Sequence, residues 1–94
     1  MKNESEHRYL AVIGDIRASR GQEDRAALQG ALERGLADVN DELGSALAAR
    51  FVVTLGDEFQ GLLLGAGQAL QSLRTLDTAL SGVPLRYALG WGTL

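Results

Sequence analysis

Two aspartates follow glycines in this sequence, and together with a neighbouring glutamate they could bind a metal ion through their carboxylate oxygens. Asp15 comes after Gly14 at the end of a short apolar run, and Asp57 with Glu58 comes after Gly56. Mg²⁺ takes oxygen ligands and keeps several waters, so one or two protein carboxylates with substrate phosphates are sufficient for a site. These residue types predict a Mg²⁺ or Mn²⁺ site formed by Asp15 and Asp57, with Glu58 beside it.

Each aspartate also has an ordinary structural explanation. Asp is common in Gly-Asp turns because it tolerates unusual backbone angles, which would account for Asp57. A loop-start Asp can bond to nearby backbone amides, which would account for Asp15. Only convergence of the two carboxylates at one point would favour the metal site; without a metal, two close carboxylates would instead raise the pKa of one of them.

Two arginines after the first aspartate could bind phosphate groups. Arg17 and Arg20 occupy a loop that leads into a predicted helix, where free backbone amides could hold the same anion. A nucleotide triphosphate is a ligand that would suit this arrangement. Arg25 is expected instead to lie in solvent beside Glu23 and Asp24, where ion pairs contribute little energy.

The elements that must position these residues begin with a strand and a helix. Residues 9–13 form a short apolar run rich in β-branched side chains, which predicts a buried strand. Ser19 with Gln22 three residues later is a capping-box pattern for a helix start, and Gly44 fits its end. The apolar stripe between them consists of Leu28, Leu32, Leu36, Val39 and Leu43.

A hairpin is predicted next. Residues 50–55 and 58–64 are apolar and β-branched or aromatic, and the Gly56-Asp57 dipeptide between them predicts a turn of two residues or longer.

A second helix and a last strand complete the chain. The helix begins at Ala66 and ends before Ser81-Gly82, with a stripe formed by Leu70, Leu73, Leu76 and Leu80, and Pro84 blocks its continuation. Alternating apolar residues then predict a strand that includes Leu85, Tyr87, Leu89 and Trp91.

The order β-α-β-β-α-β predicts an α+β, ferredoxin-like fold in two layers, with two helices on one face of a four-stranded sheet that contains antiparallel pairs. A right-handed crossover joins strands one and two and leaves room between them for strand three. The end of strand one, with Asp15, then lies beside the start of strand three, with Asp57 and Glu58. Neighbouring strands are about 4.8 Å apart, so these carboxylates can reach a common point.

Composition limits the classes of protein to which this chain can belong. A chain of 94 residues supports one core, which we place in residues 9–94 after a flexible polar lead at 1–8. The absence of cysteine excludes disulfides and thiolate sites. A net charge of −3 disfavours nucleic acid as a partner. The polar start and the short apolar runs predict a cytoplasmic protein with no membrane partner.

Two segments resemble a known family. Residues 9–20 read YLAVIGDIRASR and residues 53–63 read VTLGDEFQGLL. They are similar to the two most recognisable stretches of the SatD family, and the resemblance covers nearly the whole chain. It implies a regulatory or assembly domain, not catalytic on its own, and a chain that corresponds to the N-terminal half of longer SatD proteins, without their C-terminal continuation.

The same segments more distantly resemble the palm-like core of class III nucleotidyl cyclases and GGDEF-type diguanylate cyclases. In this resemblance Asp15 and Asp57 match the two metal-binding aspartates, and Ile16 matches the residue whose backbone carbonyl assists. Leu55 stands where the full GGDEF signature has glycine, and the Asn and Arg of a later cyclase helix have no counterpart before Leu94.

An uncovered sheet face predicts self-association. Phe59, Gly61 and Leu63 point one way in strand three, while Leu62 and Leu64 point the other, so both faces are apolar. Helices cover only one face of a two-layer domain, and a large exposed apolar patch is rare in monomers. We therefore expect a homodimer through the open face. The residues leave two functions open: this assembly role, or a Mg²⁺-dependent domain that binds a nucleotide triphosphate for nucleotidyl transfer.

Overall fold

The computed structural model describes residues 8–16, 25–80 and 83–93. Short 3₁₀ turns occur at Gly44–Ala46 and Ala66–Gln68. The main elements, in chain order, are β1 (Arg8–Ile16), α1 (Arg25–Leu43), β2 (Leu47–Leu55), β3 (Glu58–Leu63), α2 (Ala69–Leu80) and β4 (Leu85–Thr93).

The four strands form one sheet in the order β2-β3-β1-β4, and every neighbouring pair is antiparallel. Strand three lies between strands one and two, as the crossover argument predicts. The α+β, ferredoxin-like fold predicted from the element order is therefore confirmed.

Several element boundaries differ from the sequence predictions. β1 continues through Asp15, so this residue lies in a strand and does not begin a loop. β2 begins at Leu47, before the predicted residue 50, because its irregular pairing with β3 still extends the sheet. α2 begins at Ala69, since residues 66–68 form a 3₁₀ turn first. The predicted cap residues Ser19 and Gln22 lie outside the described residues.

The stripe predicted for α1 faces the core. Its last four members are buried: Leu32, Leu36, Val39 and Leu43. Gly35 lies on the same side of α1, where α2 approaches closely. A side chain there would clash, since a Cβ atom would come within 2.9 Å of the Ala79 Cβ. Gly44 ends the helix with a φ of +46°, a left-handed conformation that glycine adopts without strain.

The stripe predicted for α2 is wrong at one position. Leu70 is 61% exposed, and Ala69 beside it is buried instead. Each residue turns about 100° around a helix, so only one of these two neighbours can face the sheet. The buried face consists of Ala69, Ser72, Leu76 and Leu80. The Ser72 hydroxyl donates a 2.7 Å hydrogen bond to the Ala69 carbonyl, which satisfies this polar group in the core.

Aromatic rings fill the space between the sheet and the helices. The ring centroids of Phe51 and Phe59 are 6.4 Å apart, and Phe59 meets Tyr87 edge-on at 6.4 Å. Two glycines make room for these rings. A Cβ atom at Gly14 would lie 2.6 Å from the Phe59 ring, and one at Gly61 would lie 2.5 Å from the Phe51 ring.

In the described part of the chain, neither helix combines the length and the apolar character that crossing a membrane would need.

We predict that Leu32→Ala lowers the free energy of unfolding by about 2 to 5 kcal/mol, because it leaves a cavity in the core. Leu32 is fully buried in α1, whereas the adjacent Glu33 is exposed. Glu33→Ala is the control and should change stability by only about 0.5 kcal/mol. Urea unfolding measures both variants, and equal midpoints would contradict the orientation of α1.

Candidate functional site

The two resembling segments meet at one end of the sheet. Asp15 in β1 lies opposite Glu58 in β3, and the Ile16 amide donates a 3.3 Å hydrogen bond to the Asp57 carbonyl. The backbone segments that carry both aspartates are therefore adjacent, as the topology predicts. That the two carboxylates share one ion stays a prediction.

Arg86 engages the Asp15 carboxylate. It is the second residue of β4, lies beside Asp15, and donates through Nη2 to Oδ2 at 2.8 Å and through Nε to Oδ1 at 3.3 Å. This two-point contact is the geometry in which a guanidinium matches a carboxylate. The hydrogen bond to Asp15 raises the pKa of Arg86 above its ordinary value, so the guanidinium stays charged.

The Asp57 carboxylate has a different cationic partner. Arg25 in the first turn of α1 donates from Nη2 to Asp57 Oδ2 at 3.2 Å. Gln29, one turn later, donates to the Gly56 carbonyl at 3.1 Å. The start of α1 is thus bound to the hairpin turn through side chains. Arg25 is 71% exposed, as expected for a residue in solvent, and it also pairs with Asp57, which was not expected; Glu23 and Asp24 lie outside the described residues.

Glu58 lies on the uncovered face of the sheet beside Asp15. Its side chain is exposed and has no ion pair with another described residue. A shallow cleft of about 230 Å³ opens here, lined by Ile13, Asp15, Glu58, Arg86, Tyr87 and Ala88. The cleft therefore contains the Arg86–Asp15 ion pair and the Glu58 carboxylate, which is not paired with another described residue.

The remaining predicted site residues have different outcomes. Ile16 ends β1 opposite Leu85, with its side chain buried. Arg17 and Arg20, predicted to bind phosphate, lie outside the described residues. In the described part of the chain, no group of three or more acidic or histidine side chains is placed to hold a metal ion.

Sequence reasoning did not identify Arg86, although a signal for it exists. In an antiparallel β1–β4 pair, the start of β4 must lie beside the end of β1, where Asp15 is placed. Arg86, two residues after Pro84, is therefore the arginine that this pairing would place beside Asp15. The contact between Arg25 and Asp57 has no comparable signal, because it depends on how α1 packs beside the hairpin turn.

Tyr87 has a buried hydroxyl that lacks a hydrogen-bond partner among the described residues. Burial, with a smaller contribution from the charge of Asp77, raises the pKa of Tyr87 to about 12. An unbonded buried hydroxyl weakens a fold, because the group loses its bonds to water.

We predict that Tyr87→Phe keeps the ring contact with Phe59 and raises stability by about 1 kcal/mol near neutral pH. A raised tyrosine pKa means that the folded state holds the proton more tightly. The wild-type fold therefore keeps its stability below pH 10.0, the ordinary pKa of tyrosine. It loses stability as pH rises through about 12, the pKa of Tyr87 in the folded state.

Unfolding midpoints measured from pH 8 to 12 check this prediction. The wild-type midpoint should fall more steeply above pH 10.0 than that of Tyr87→Phe. Parallel curves would contradict a perturbed tyrosine, and a less stable variant would show that the hydroxyl is bonded.

Comparison with known proteins places this arrangement in a family. Neither curated proteins nor solved structures gave a match to this chain. The family model described as the SatD family matches residues 9–94, which include every described strand and helix except the first residue of β1. This chain belongs to the SatD family.

Proposed function

We propose that this SatD-family chain is a non-catalytic assembly domain that binds a second copy of itself through the uncovered face of its sheet. The observation that carries this proposal is the apolar character of that face. We define the open face by its central residues, which are Ala11, Ile13, Ala49, Val52, Gln60, Leu62 and Ala88.

The open face is nearly free of charge in its centre. Val52 is 50% exposed and Ile13 is 39% exposed, while Gln60 is the one polar side chain among the residues that define the face. A sheet face that remains in water normally carries polar residues in alternation with the buried ones. The open face departs from this pattern, which supports a role as an interface.

The charges around the open face favour a second copy as the partner. Glu58 lies at the turn end of the hairpin, and Arg50 lies further along it, beside Ala49. Neither side chain has an ion pair with another described residue. A two-fold axis in the interface, perpendicular to the strands, exchanges the two ends and brings Glu58 toward Arg50 of the partner subunit.

The size of the open face indicates a weak dimer. Four strands about 4.8 Å apart, each with about seven residues of roughly 3.3 Å, span a footprint of roughly 400 to 500 Å². Two such footprints fall below the low end of specific interfaces, which is about 1,200 Å² in total. We therefore expect dissociation in the micromolar range.

The ion pairs at the sheet end support a non-catalytic role. Asp15 is held by Arg86, and Asp57 is held by Arg25. A divalent cation at Asp15 would compete with Arg86 for both carboxylate oxygens, whereas Arg25 occupies only Oδ2 of Asp57. These contacts instead fix the ends of the strands that form the open face.

We predict that Val52→Lys reduces self-association at least tenfold, because two ammonium groups would lose water at the interface. In sedimentation equilibrium at micromolar concentration, the wild-type chain should show at least twice its own mass. The Val52→Lys chain should show a lower average mass, and Val52→Thr is the control of similar shape. A wild-type monomer, or an unchanged mass for Val52→Lys, would refute the open-face dimer.

A charge exchange tests the orientation of the two copies. Glu58→Arg should weaken the dimer because it faces Arg50 of the partner subunit, and Arg50→Glu should weaken it for the opposite reason. The double variant restores opposite charges and should recover most of the lost affinity. Additive losses in the double variant would exclude this axis.

A divalent-metal site is a second candidate function, favoured by the Ile16–Asp57 backbone bond that joins the two aspartate segments. The carboxylates of Asp15 and Asp57 with the Ile16 carbonyl provide only oxygen atoms, which suits Mg²⁺ or Mn²⁺. The metal would supply charge stabilisation for a phosphoryl group. Arg17 and Arg20 are the residues that we propose for the phosphates of a nucleotide.

For this second candidate, we predict that calorimetric titration shows Mn²⁺ or Mg²⁺ binding at millimolar concentration or below, in the presence of ATP or GTP. Asp57→Asn should abolish the heat of binding, because the amide is a weaker ligand. Arg86→Gln is the matched variant and should strengthen binding, since it frees Asp15. The absence of heat from both wild type and Arg86→Gln would eliminate the metal site.

A further inference from the structure

One edge of the sheet lacks the features that normally protect an edge strand. β4 is last in the strand order and, among the described residues, pairs only with β1. Its nine residues run opposite β1 without a bulge and contain neither proline nor lysine. Natural proteins usually protect edges with bulges, prolines or lysines, because free backbone groups recruit another strand.

The opposite edge is protected in two ways. β2 shifts its register against β3 at three points. At the irregular part, the Asn40 amide group bonds both to the Phe51 amide at 2.7 Å and to the Phe51 carbonyl at 3.0 Å. Bulges twist an edge away from regular pairing, and Asn40 occupies backbone groups of this strand. The contrast selects β4 as the edge available to a partner.

Apolar side chains are exposed along the β4 edge on the helix side of the sheet. Leu89 is 51% exposed and Trp91 is 50% exposed. They border a groove of about 450 Å³ that reaches the start of α2 and is lined by Leu10, Ala69, Leu70, Leu73, Leu89 and Trp91. A strand added at this edge would bring its own side chains beside this groove.

We propose that β4 pairs antiparallel with β4 of a second copy around a two-fold axis at Leu89, which joins two sheets into one of eight strands. In this register Leu89 faces its own counterpart, and Tyr87 faces Trp91 of the partner subunit on the helix side. Aromatic and aliphatic cross-strand pairs of this kind stabilise antiparallel sheets. On the open-face side, Ala88 faces Gly90 of the partner subunit.

The strand is self-complementary in charge as well as in shape. Arg86 is the one charged residue of β4, and it already binds Asp15. In the proposed register it lies opposite Gly92 of the partner subunit, so the two arginines are far apart and no like charges meet. A seam about 30 Å long forms from nine residues of roughly 3.3 Å, without an unpaired charge in it.

This edge interface is independent of the open-face interface. Its axis is normal to the sheet, whereas the open-face axis lies in the plane of the sheet. Two perpendicular two-fold axes that intersect generate a closed tetramer, in which two eight-stranded sheets face each other. A wild-type chain that uses both interfaces should therefore exceed the mass of a dimer, and loss of either interface should leave a dimer.

Leu89→Lys tests the edge interface, because it places two ammonium groups opposite each other at the axis. Val52→Lys is a matched control, since Val52 has almost the same exposed fraction but lies on the open face. Trp91 is the single tryptophan and reports the edge directly. Its emission should shift to shorter wavelength as wild-type or Val52→Lys concentration rises, and should stay constant for Leu89→Lys.

A cysteine variant gives a result that does not depend on tolerance of lysine. The chain has no cysteine, so Leu89→Cys carries one thiol, which faces its counterpart across the axis. Mild oxidation should convert most of Leu89→Cys into a covalent dimer. Thr78→Cys, exposed on α2, is the control and should remain monomeric on a denaturing gel.

The outcomes separate the two interfaces. Loss of the Trp91 shift in Leu89→Lys but not in Val52→Lys, with crosslinking at residue 89, supports the edge dimer. Loss of the shift in Val52→Lys, or no crosslink at residue 89, overturns it and leaves the open-face proposal intact. A wild-type dimer that dissociates only in Leu89→Lys supports the edge and refutes the open face.

Discussion

The contact between Phe59 and Gly14 is the constraint on which the rest of the sheet depends. The Phe59 ring is fully buried and fills the space that a side chain at residue 14 would occupy. It also contacts Phe51 and Tyr87, so this ring in β3 joins all four strands under the helices. Because side chains alternate across a strand, this contact fixes which residues of β1 and β3 face the core.

The same alternation determines the chemistry of the opposite face. Asp15 follows Gly14 and Glu58 precedes Phe59, so both acids must point away from the helices. Arg86 precedes Tyr87 in the same way and therefore reaches Asp15. The core positions of Gly14, Phe59 and Tyr87 thus place the charged residues at the end of the open face. Core packing therefore gives one explanation for the Gly-Asp and Glu-Phe pairs of the resembling segments, beside any functional one.

The sequence predicted the fold well because its signals are local. The stripe from Leu32 to Leu43 and the glycine after it defined α1 and its end, and the element order then gave the sheet topology. The prediction was weaker where two neighbouring apolar residues of a helix could each face the core. Leu70 was assigned to the core, but the packing of α2 against α1 and the sheet placed Ala69 there and left Leu70 at the groove.

For the candidate site, the sequence alone determined that Asp15, Asp57 and Glu58 belong to one end of the sheet, since topology follows from the order of elements. Only the tertiary structure decided their partners. Arg86 lies 71 residues after Asp15, and Arg25 lies 32 residues before Asp57. Pairs so distant in sequence depend on strand register and helix placement, which a shift of one residue would change entirely. Charge alone identifies the arginines that could pair with the aspartates, and tertiary packing determines which of them do.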